Sequence, residues 1–274
     1  MTDQTDRYAV IGNPVAHSKS PEIHARFAAQ TQQSLIYERL LAPLDGFAAA
    51  VRRFIQEGGR GANVTVPFKL EAHALATVLT ERAQAAGAAN TLRFDGNAIL
   101  GDNTDGIGLV TDIVRNAGVP VQGKRVLLLG AGGAARGVIL PLLSENPLSL
   151  TIANRNHAKA VQLVQEFSAQ HKNVHADDFT ALHEPFDIII NATSASLAAE
   201  VPPLSPSVFG NDTLAYDMMY GKEPTVFMRF AMQHGSMARD GLGMLVEQAA
   251  ESFLLWRNVR PDTAAVFAQL RAAL

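Results

Sequence analysis

A glycine-rich turn carries the clearest chemical signal in the chain. In KRVLLLGAGGAARG, Gly130, Gly132 and Ala135 form a G-x-G-x-x-A pattern directly after an apolar run and at the opening of a helical stretch. The first glycine suits a tight turn, the second lets a pyrophosphate approach the backbone, and the small residue packs helix on sheet. The helix start adds free N–H groups and about half a unit of positive charge, which favours an anion. The next apolar run ends at Ala153-Asn154-Arg155-Asn156. An NAD site usually has an acid here to bind the ribose hydroxyls. Arg155 stands in its place, with Lys159 one helical turn further on. A guanidinium grips a phosphate in bidentate fashion and stacks on adenine, so NADP is favoured over NAD. A tight turn beside solvated cations is the plainer alternative.

Three polar clusters precede that turn. His17-Ser18-Lys19-Ser20 offers hydroxyls suited to a polyhydroxylated or carboxylate ligand, or to a helix cap. In Asn63-Val64-Thr65-Val66-Pro67-Phe68-Lys69, strand alternation predicts Asn63 and Thr65 on one face, with Lys69 at a strand-to-helix junction. A lone lysine there is more often surface than catalyst. The run Gly101-Asp102-Asn103-Thr104-Asp105-Gly106 ends at a helix start, where Asp105 taken alone reads as an N-cap. Later, Asn191-Ala192-Thr193-Ser194 follows an apolar strand at the end where doubly wound folds bind ligands. A loop that merely ends a strand fits that composition equally well.

Elements that could position these residues follow from periodicity. Residues 7–12 read as a strand, followed by a helix capped near Ser20 with Pro21 in its first turn. A strand at 35–41, a helix over 44–56 ending at Gly58-Gly59, and a strand at 62–66 come next. Residues 91–94 and 98–100 flank Asp95-Gly96-Asn97 as a hairpin. A helix over 106–117 leads to strands at 125–129, 149–153, 187–190 and 213–217 with helical stretches between them, the mark of a doubly wound parallel sheet. Residues 244–258 and 263–274 are helical, and periodicity alone leaves them on either domain.

Composition bounds the partners. A chain of 274 residues suggests about two domains, and 47% hydrophobic with 18% charged residues is ordinary globular usage. Its net charge of −3 includes no basic block, which argues against nucleic acid. With no cysteine there are no disulfides, thiolate zinc sites or Cys nucleophiles, in keeping with a reducing compartment. MTDQTDRYAV lacks the basic start of a secretory signal. The apolar stretches 126–143 and 244–256 are interrupted by Arg136, Glu247 and Glu251, so no membrane association is expected and the cytoplasm is the expected location. His171, His175, Asp177 and Asp178 have the only metal-like spacing but no Glu in zinc-protease register; a solvated surface segment is expected and no metal. His17 and His24 read as structural or surface residues.

Together AHSKSP (16–21), NVTVPFK (63–69), GDNTDG (101–106), GAGGAARG (130–137), NATS (191–194) and DGLGMLVEQA (240–249) closely resemble shikimate dehydrogenase across essentially the whole chain. The resemblance implies an N-terminal α/β substrate domain (1–105), a Rossmann-type NADP domain (106–241), and C-terminal helices (242–274) that return to the substrate domain. It implies Lys69 and Asp105 as the catalytic pair; Ser18, Ser20, Thr65, Asn90, Asp105 and Gln248 as substrate-binding residues; and Tyr220 as a contact to a ring hydroxyl. Gly130, Ala131, Gly132, Gly133 and Ala134 match the diphosphate loop. Asn154, Arg155, Asn156 and Lys159 match the 2′-phosphate and adenine-ribose contacts, Met218 and Gly241 the nicotinamide lining, and Glu81 a position sometimes cofactor-contacting.

The implied reaction is reversible reduction of 3-dehydroshikimate to shikimate by NADPH, in aromatic amino-acid biosynthesis. A carboxylate within reach favours an ammonium, so Lys69 and Asp105 are expected to orient the hydroxyl and pass a coupled proton rather than act as a free amine base. Closure of the two domains around the ligands is also expected, and the family leaves room for a homodimer. Two departures stand out: Asn156 where the family often has Thr, and Ala195-Ser196-Leu197 where a glycine is common. The alternatives are a quinate or quinate/shikimate dehydrogenase, which often prefers NAD, and a non-catalytic NADP-responsive module; Arg155 and Ser18 oppose the first, and Lys69 with Asp105 the second.

Overall fold

Short apolar strands alternate with amphipathic helices along nearly the whole chain. The computed structural model describes residues 5–193, 195 and 200–274. Its contacts divide the chain into two units, Met1–Gly108 with Val246–Leu270, and Leu109–Leu245 with Arg271–Leu274.

The first unit begins β1 (Asp6–Gly12), α1 (Ser20–Thr31), β2 (Leu35–Leu41), α2 (Phe47–Gln56), β3 (Gly59–Val64) and α3 (Lys69–Leu75). It continues with β4 (Val78–Leu79), α4 (Glu81–Ala86), β5 (Thr91–Asp95) and β6 (Ala98–Asp102). The six strands lie in the order β2-β1-β3-β5-β6-β4; β2 and β3 run parallel to β1, and β5 and β6 form the antiparallel hairpin expected around Gly96-Asn97. Both faces of the sheet are covered, so successive residues of β1 are buried whichever way they point. Ala9, Ile11, Ala62, Val64 and Leu92 pack with Phe47, Phe54 and Phe68 on one side. On the other, the Trp256 indole N–H donates to the Leu92 carbonyl at 3.0 Å and the ring stacks on Tyr8 at 4.7 Å. Trp256 belongs to α9 (Leu242–Arg257), so this C-terminal helix returns to the first unit from Val246 onward.

α5 (Asp105–Thr111) continues as a single π-helical stretch, Asp112–Asn116, rather than as one α-helix to Ala117. The buried Asp112 carboxylate opens this stretch. It accepts from Asn116 Nδ2 (2.9 Å), the Tyr216 hydroxyl (2.8 Å) and both arms of Arg239 (2.8 and 2.6 Å). The second unit then runs β7 (Arg125–Leu129), α6 (Gly133–Ser144), β8 (Ser149–Ala153), α7 (His157–Ser168), β9 (Val174–Asp177), β10 (Ile188–Asn191), β11 (Leu214–Asp217), α8 (Val226–Gln233) and β12 (Met237–Asp240). α10 (Ala264–Ala272) follows α9. The second sheet is all parallel, in the order β12-β11-β10-β7-β8-β9. Strand order reverses between β7 and β10, and doubly wound folds bind ligands at such a switch point.

Several boundaries differ from expectation. β3 starts at Gly59 and stops at Val64, so Thr65 lies just beyond the strand; its N–H still donates to the Ile11 carbonyl (2.9 Å), and Phe68 N–H turns back to the Thr65 carbonyl (3.0 Å). Ser20 is the first helical residue of α1 rather than its cap, and its N–H bonds Ser18 Oγ at 3.3 Å. β4, α4, β9, α8 and β12 lie outside the elements that periodicity predicts. The cap signal for α4 was nevertheless present: Thr80 Oγ1 accepts from the Ala83 N–H and Gly87 closes the helix at φ +60°. The histidine-bearing stretch expected as a solvated surface segment contributes the edge strand β9, with Val174 buried and His175 exposed. Among the described residues no helix is long and apolar enough to cross a membrane.

Candidate active site

Strand register gathers the polar clusters of the first unit. Ile11 of β1 pairs with Val64 of parallel β3, Asn63 with Thr91 of antiparallel β5, and Thr91 with Asp102 of β6. The loop after β1 (Ser18, Ser20), the residue after β3 (Thr65), the residue before β5 (Asn90) and the turn after β6 (Thr104, Asp105) therefore emerge at one end of the sheet. Lys69 opens α3 there, and its Nζ donates to Asp105 Oδ2 at 2.5 Å. Asp105 opens α5 but does not cap it: Asn90 Nδ2 holds its other oxygen at 2.8 Å. Such charge-assisted hydrogen bonds are about twice as strong as neutral ones. Asn90 Nδ2 also lies 3.3 Å from Gln248 Oε1, and Asn90 Oδ1 accepts the Thr104 N–H at 2.9 Å. Lys69, Asn90, Asp105 and Gln248 thus form one hydrogen-bonded group. Ser18 and Ser20 pair through their hydroxyls at 3.2 Å, and Arg39 clamps the Ser18 carbonyl at 2.6 Å.

A buried polar floor supports this group, and of its members Tyr37, Thr91 and Ser252 belong to no motif. Ser252 Oγ meets Asn63 Nδ2 (2.9 Å), Thr91 Oγ1 (2.8 Å) and Thr104 Oγ1 (3.3 Å). Ser252 stands four residues after Gln248 on α9, the only hint in the sequence that this helix turns a polar stripe inward. The Tyr37 hydroxyl donates to Asn63 Oδ1 at 2.7 Å, and burial pushes it well above the usual phenol range. His24 stacks on Tyr37 at 4.2 Å, and burial lowers its pKa to about 3; of the two residues read as structural or surface, it is interior and His17 is exposed.

The second unit offers a different surface. Gly130 turns at φ +111°, and a Cβ there would come within 3.3 Å of the Ala192 carbonyl oxygen, so the glycine turn and the loop after β10 pack together. A Cβ at Gly132 or Gly133 would meet no described atom within 4 Å beyond its immediate chain neighbours and its own helix, and the N-cap Gly132 supplies no side-chain bond to the first N–H groups of α6. Neighbouring Ala131 and Ala134 are small, and Ala135 is fully buried under the sheet. This bare cradle at a helix N-terminus fits a dinucleotide diphosphate. Beyond β8, Asn154, Arg155, Phe179, Thr193, Glu200 and Pro202 help line a cavity of about 280 Å³. The Arg155 side chain is 83% exposed, with Glu200 at 3.5 Å, and Asn156 and Lys159 are exposed at the start of α7. These donors fit a 2′-phosphate, with Arg155 and Phe179 able to flank an adenine.

Met218 N–H bonds the Asn191 carbonyl at 3.0 Å, and a Cβ on Gly241 would lie 2.2 Å from the Met218 carbonyl oxygen, so only glycine permits that approach. Tyr220 is half-buried, and burial with the Asp240 charge pushes its hydroxyl up. Glu81 belongs to the first unit, exposed at the start of α4, whereas the other cofactor candidates belong to the second. Ser194, Ser196 and Leu197 lie outside the described residues.

Comparison with known proteins identifies relatives along the whole chain. Residues 10–92 match the shikimate dehydrogenase substrate binding domain, 112–199 the shikimate / quinate 5-dehydrogenase domain, and 241–271 the shikimate 5′-dehydrogenase C-terminal domain. The shikimate dehydrogenase (NADP(+)) of Herminiimonas arsenicoxydans is 70% identical over 274 residues, 100% of both chains. An Ael1 enzyme from Pseudomonas putida is 52% identical with a TM-score of 0.93, covering 97% of this chain and 98% of that one. The shikimate 5-dehydrogenase of Thermus thermophilus, solved with NADP(H) and shikimate, is 31% identical with a TM-score of 0.87, covering 98% of this chain and 100% of that one. The chain belongs to the shikimate dehydrogenase family.

Proposed function

We propose that this chain interconverts 3-dehydroshikimate and shikimate with NADP(H), and that Lys69 and Asp105 move the proton. The 2.5 Å pair, its carboxylate held from the other side by Asn90, is the observation that carries this reading. Bound NADP(H) supplies the hydride carrier. The chain's own part is to orient the ring hydroxyl and transfer its proton: in the reductive direction the Lys69 ammonium, held by Asp105, donates to the ketone oxygen, and in the oxidative direction the pair takes the proton back. Ser18, Ser20, Thr65, Asn90 and Gln248 match the ring hydroxyls and carboxylate, with Tyr220 on a hydroxyl. A site of this kind rejects analogues that lack a partner group, because its own polar atoms would go unpaired.

For the cofactor, residues 130–134 hold the diphosphate, Asn154, Arg155, Asn156 and Lys159 the phosphorylated ribose and adenine, and Met218 and Gly241 flank the nicotinamide. Glu81, exposed at the start of α4, is the remaining candidate for a cofactor contact. The test is absorbance at the reduced-nicotinamide band on mixing the protein with shikimate and NADP, run in parallel with quinate and with NAD. Turnover is expected with shikimate and NADP, and much less on either replacement. No turnover with shikimate, or faster turnover of quinate with NAD, overturns the proposal.

A further inference from the structure

Beside the polar floor lies an ion network, buried at Asp102 and Glu247 and reaching the surface at Arg260, that substrate contacts do not explain. Asp102 ends β6 three residues before Asp105 and is fully buried. Its carboxylate accepts from Arg82 Nε (2.7 Å) and Nη2 (2.5 Å), from Thr80 Oγ1 (2.6 Å) and from the Asn103 N–H (2.8 Å). Arg82 Nη2 also reaches Glu251 Oε1 on α9 at 3.0 Å. There Arg260 meets Glu251 at 2.7 Å and Glu247 at 3.2 Å, and Thr263 donates to Glu247 at 2.6 Å. Burial opposes both charges of the central pair, yet mutual hydrogen bonding and attraction outweigh it: the Arg82 guanidinium is held above its ordinary value and the Asp102 carboxyl below.

Two connections lead from this network into the site. Asn103, whose N–H is held by Asp102, accepts the Asp105 N–H on Oδ1 at 3.2 Å and donates to the Ala88 carbonyl at 3.1 Å, which fixes the first turn of α5. Gln248 sits between Glu247 and Glu251, so the two arginines grip the helical turn that carries it. Buried ion pairs add little net stability over apolar packing, and their best-attested use is to specify one arrangement. A displacement of about 1 Å at a reacting group can cost as much as a hundredfold in rate.

We infer that Arg82, acting through Asp102 and Glu251, is a positioning residue that sets Asp105 and Gln248 relative to each other for the substrate ring. This rests on the reading of Asp105 and Gln248 given above. The experiment is steady-state kinetics with shikimate and NADP on Arg82→Met, Arg82→Lys and Glu251→Gln, with thermal unfolding of each. Arg82→Met is expected to raise the shikimate KM and lower kcat/KM for shikimate by about tenfold or more, with the NADP KM within about twofold of the parent. Arg82→Lys, which keeps the charge without the fork, recovers part of the loss. Should Arg82→Met fail to fold, Glu251→Gln is read instead, with an expected rise of about threefold in shikimate KM. An unchanged shikimate KM in the folded variant overturns the inference, as does a fall in kcat alone, which marks lost active protein. Lys69→Ala, measured alongside, separates the two failures: if it keeps the parent kcat the reading of the site fails, and if it is inactive while Arg82→Met matches the parent, only the positioning role fails.

Discussion

At the end of the first sheet, Lys69, Asp105, Asn90 and Gln248 are joined by hydrogen bonds of 2.5 to 3.3 Å, and Asn90 is 3% exposed. At the end of the second, Gly132 and Gly133 present bare backbone and the Arg155 side chain is 83% exposed. The contrast follows from the ligands each region is read to take. A small ring with hydroxyls competes poorly with water, so its partners must be oriented before it arrives, by neighbours that have already lost their freedom. A dinucleotide diphosphate brings its own charge to a helix N-terminus and needs only an uncluttered turn and reachable cations.

The sharpest attempt to break this comparison removes the amine. Lys69→Ala should lower kcat by about a hundredfold or more, the usual scale of acid–base catalysis, with the shikimate KM nearly unchanged; a parent-like kcat takes Lys69 out of the chemistry. Next in size is a test of the buried floor. His24 is neutral in the folded state, with a pKa of about 3 against about 6.5 unfolded, so only the unfolded chain takes up its proton between those values. The contribution of His24 to stability is present in full above pH 6.5 and falls by up to about 1.4 kcal/mol per unit as the pH drops toward 3. In urea unfolding between pH 7 and 4, His24→Phe should flatten this slope; an identical slope would show that other groups set it.

Arg155→Ala should raise the NADP KM about tenfold, the loss of one exposed charge-assisted contact, and leave the NAD and shikimate KM values alone. A matching rise for shikimate would end the separation of the two regions. Smallest is Gly132→Ala. A Cβ there meets no described atom within 4 Å beyond its immediate chain neighbours and its own helix, so thermal stability should hold while the NADP KM rises about threefold. A drop in melting temperature instead would mean that the fold, and not the ligand, requires the glycine.

Local signals carried a good part of this. The glycine turn, the Arg155 position and the βα alternation were legible because turn chemistry and periodicity act over a few residues. β4, β9 and β12 escaped because they are edge strands of two to four residues, too short to show a period. Asp105 looked like a helix cap, since nothing near it in the chain announces Lys69, 36 positions away. Arg82 is 20 positions from Asp102 and 169 from Glu251, and neither pairing has a local signature.

What the residues alone determined, therefore, was the class of fold, the glycine turn with the cations that follow it and, through the ensemble of motifs, the family. Only the folded chain decided that Asn90 joins Lys69, Asp105 and Gln248, that Ser252 and Asn63 lie beneath them, and that Arg82 ties the Asp105 turn to α9. The reason is physical: a helix, a turn or a cap is stabilised by neighbours in sequence, whereas a polar network exists only where strand register and a returning helix bring distant side chains within hydrogen-bond reach.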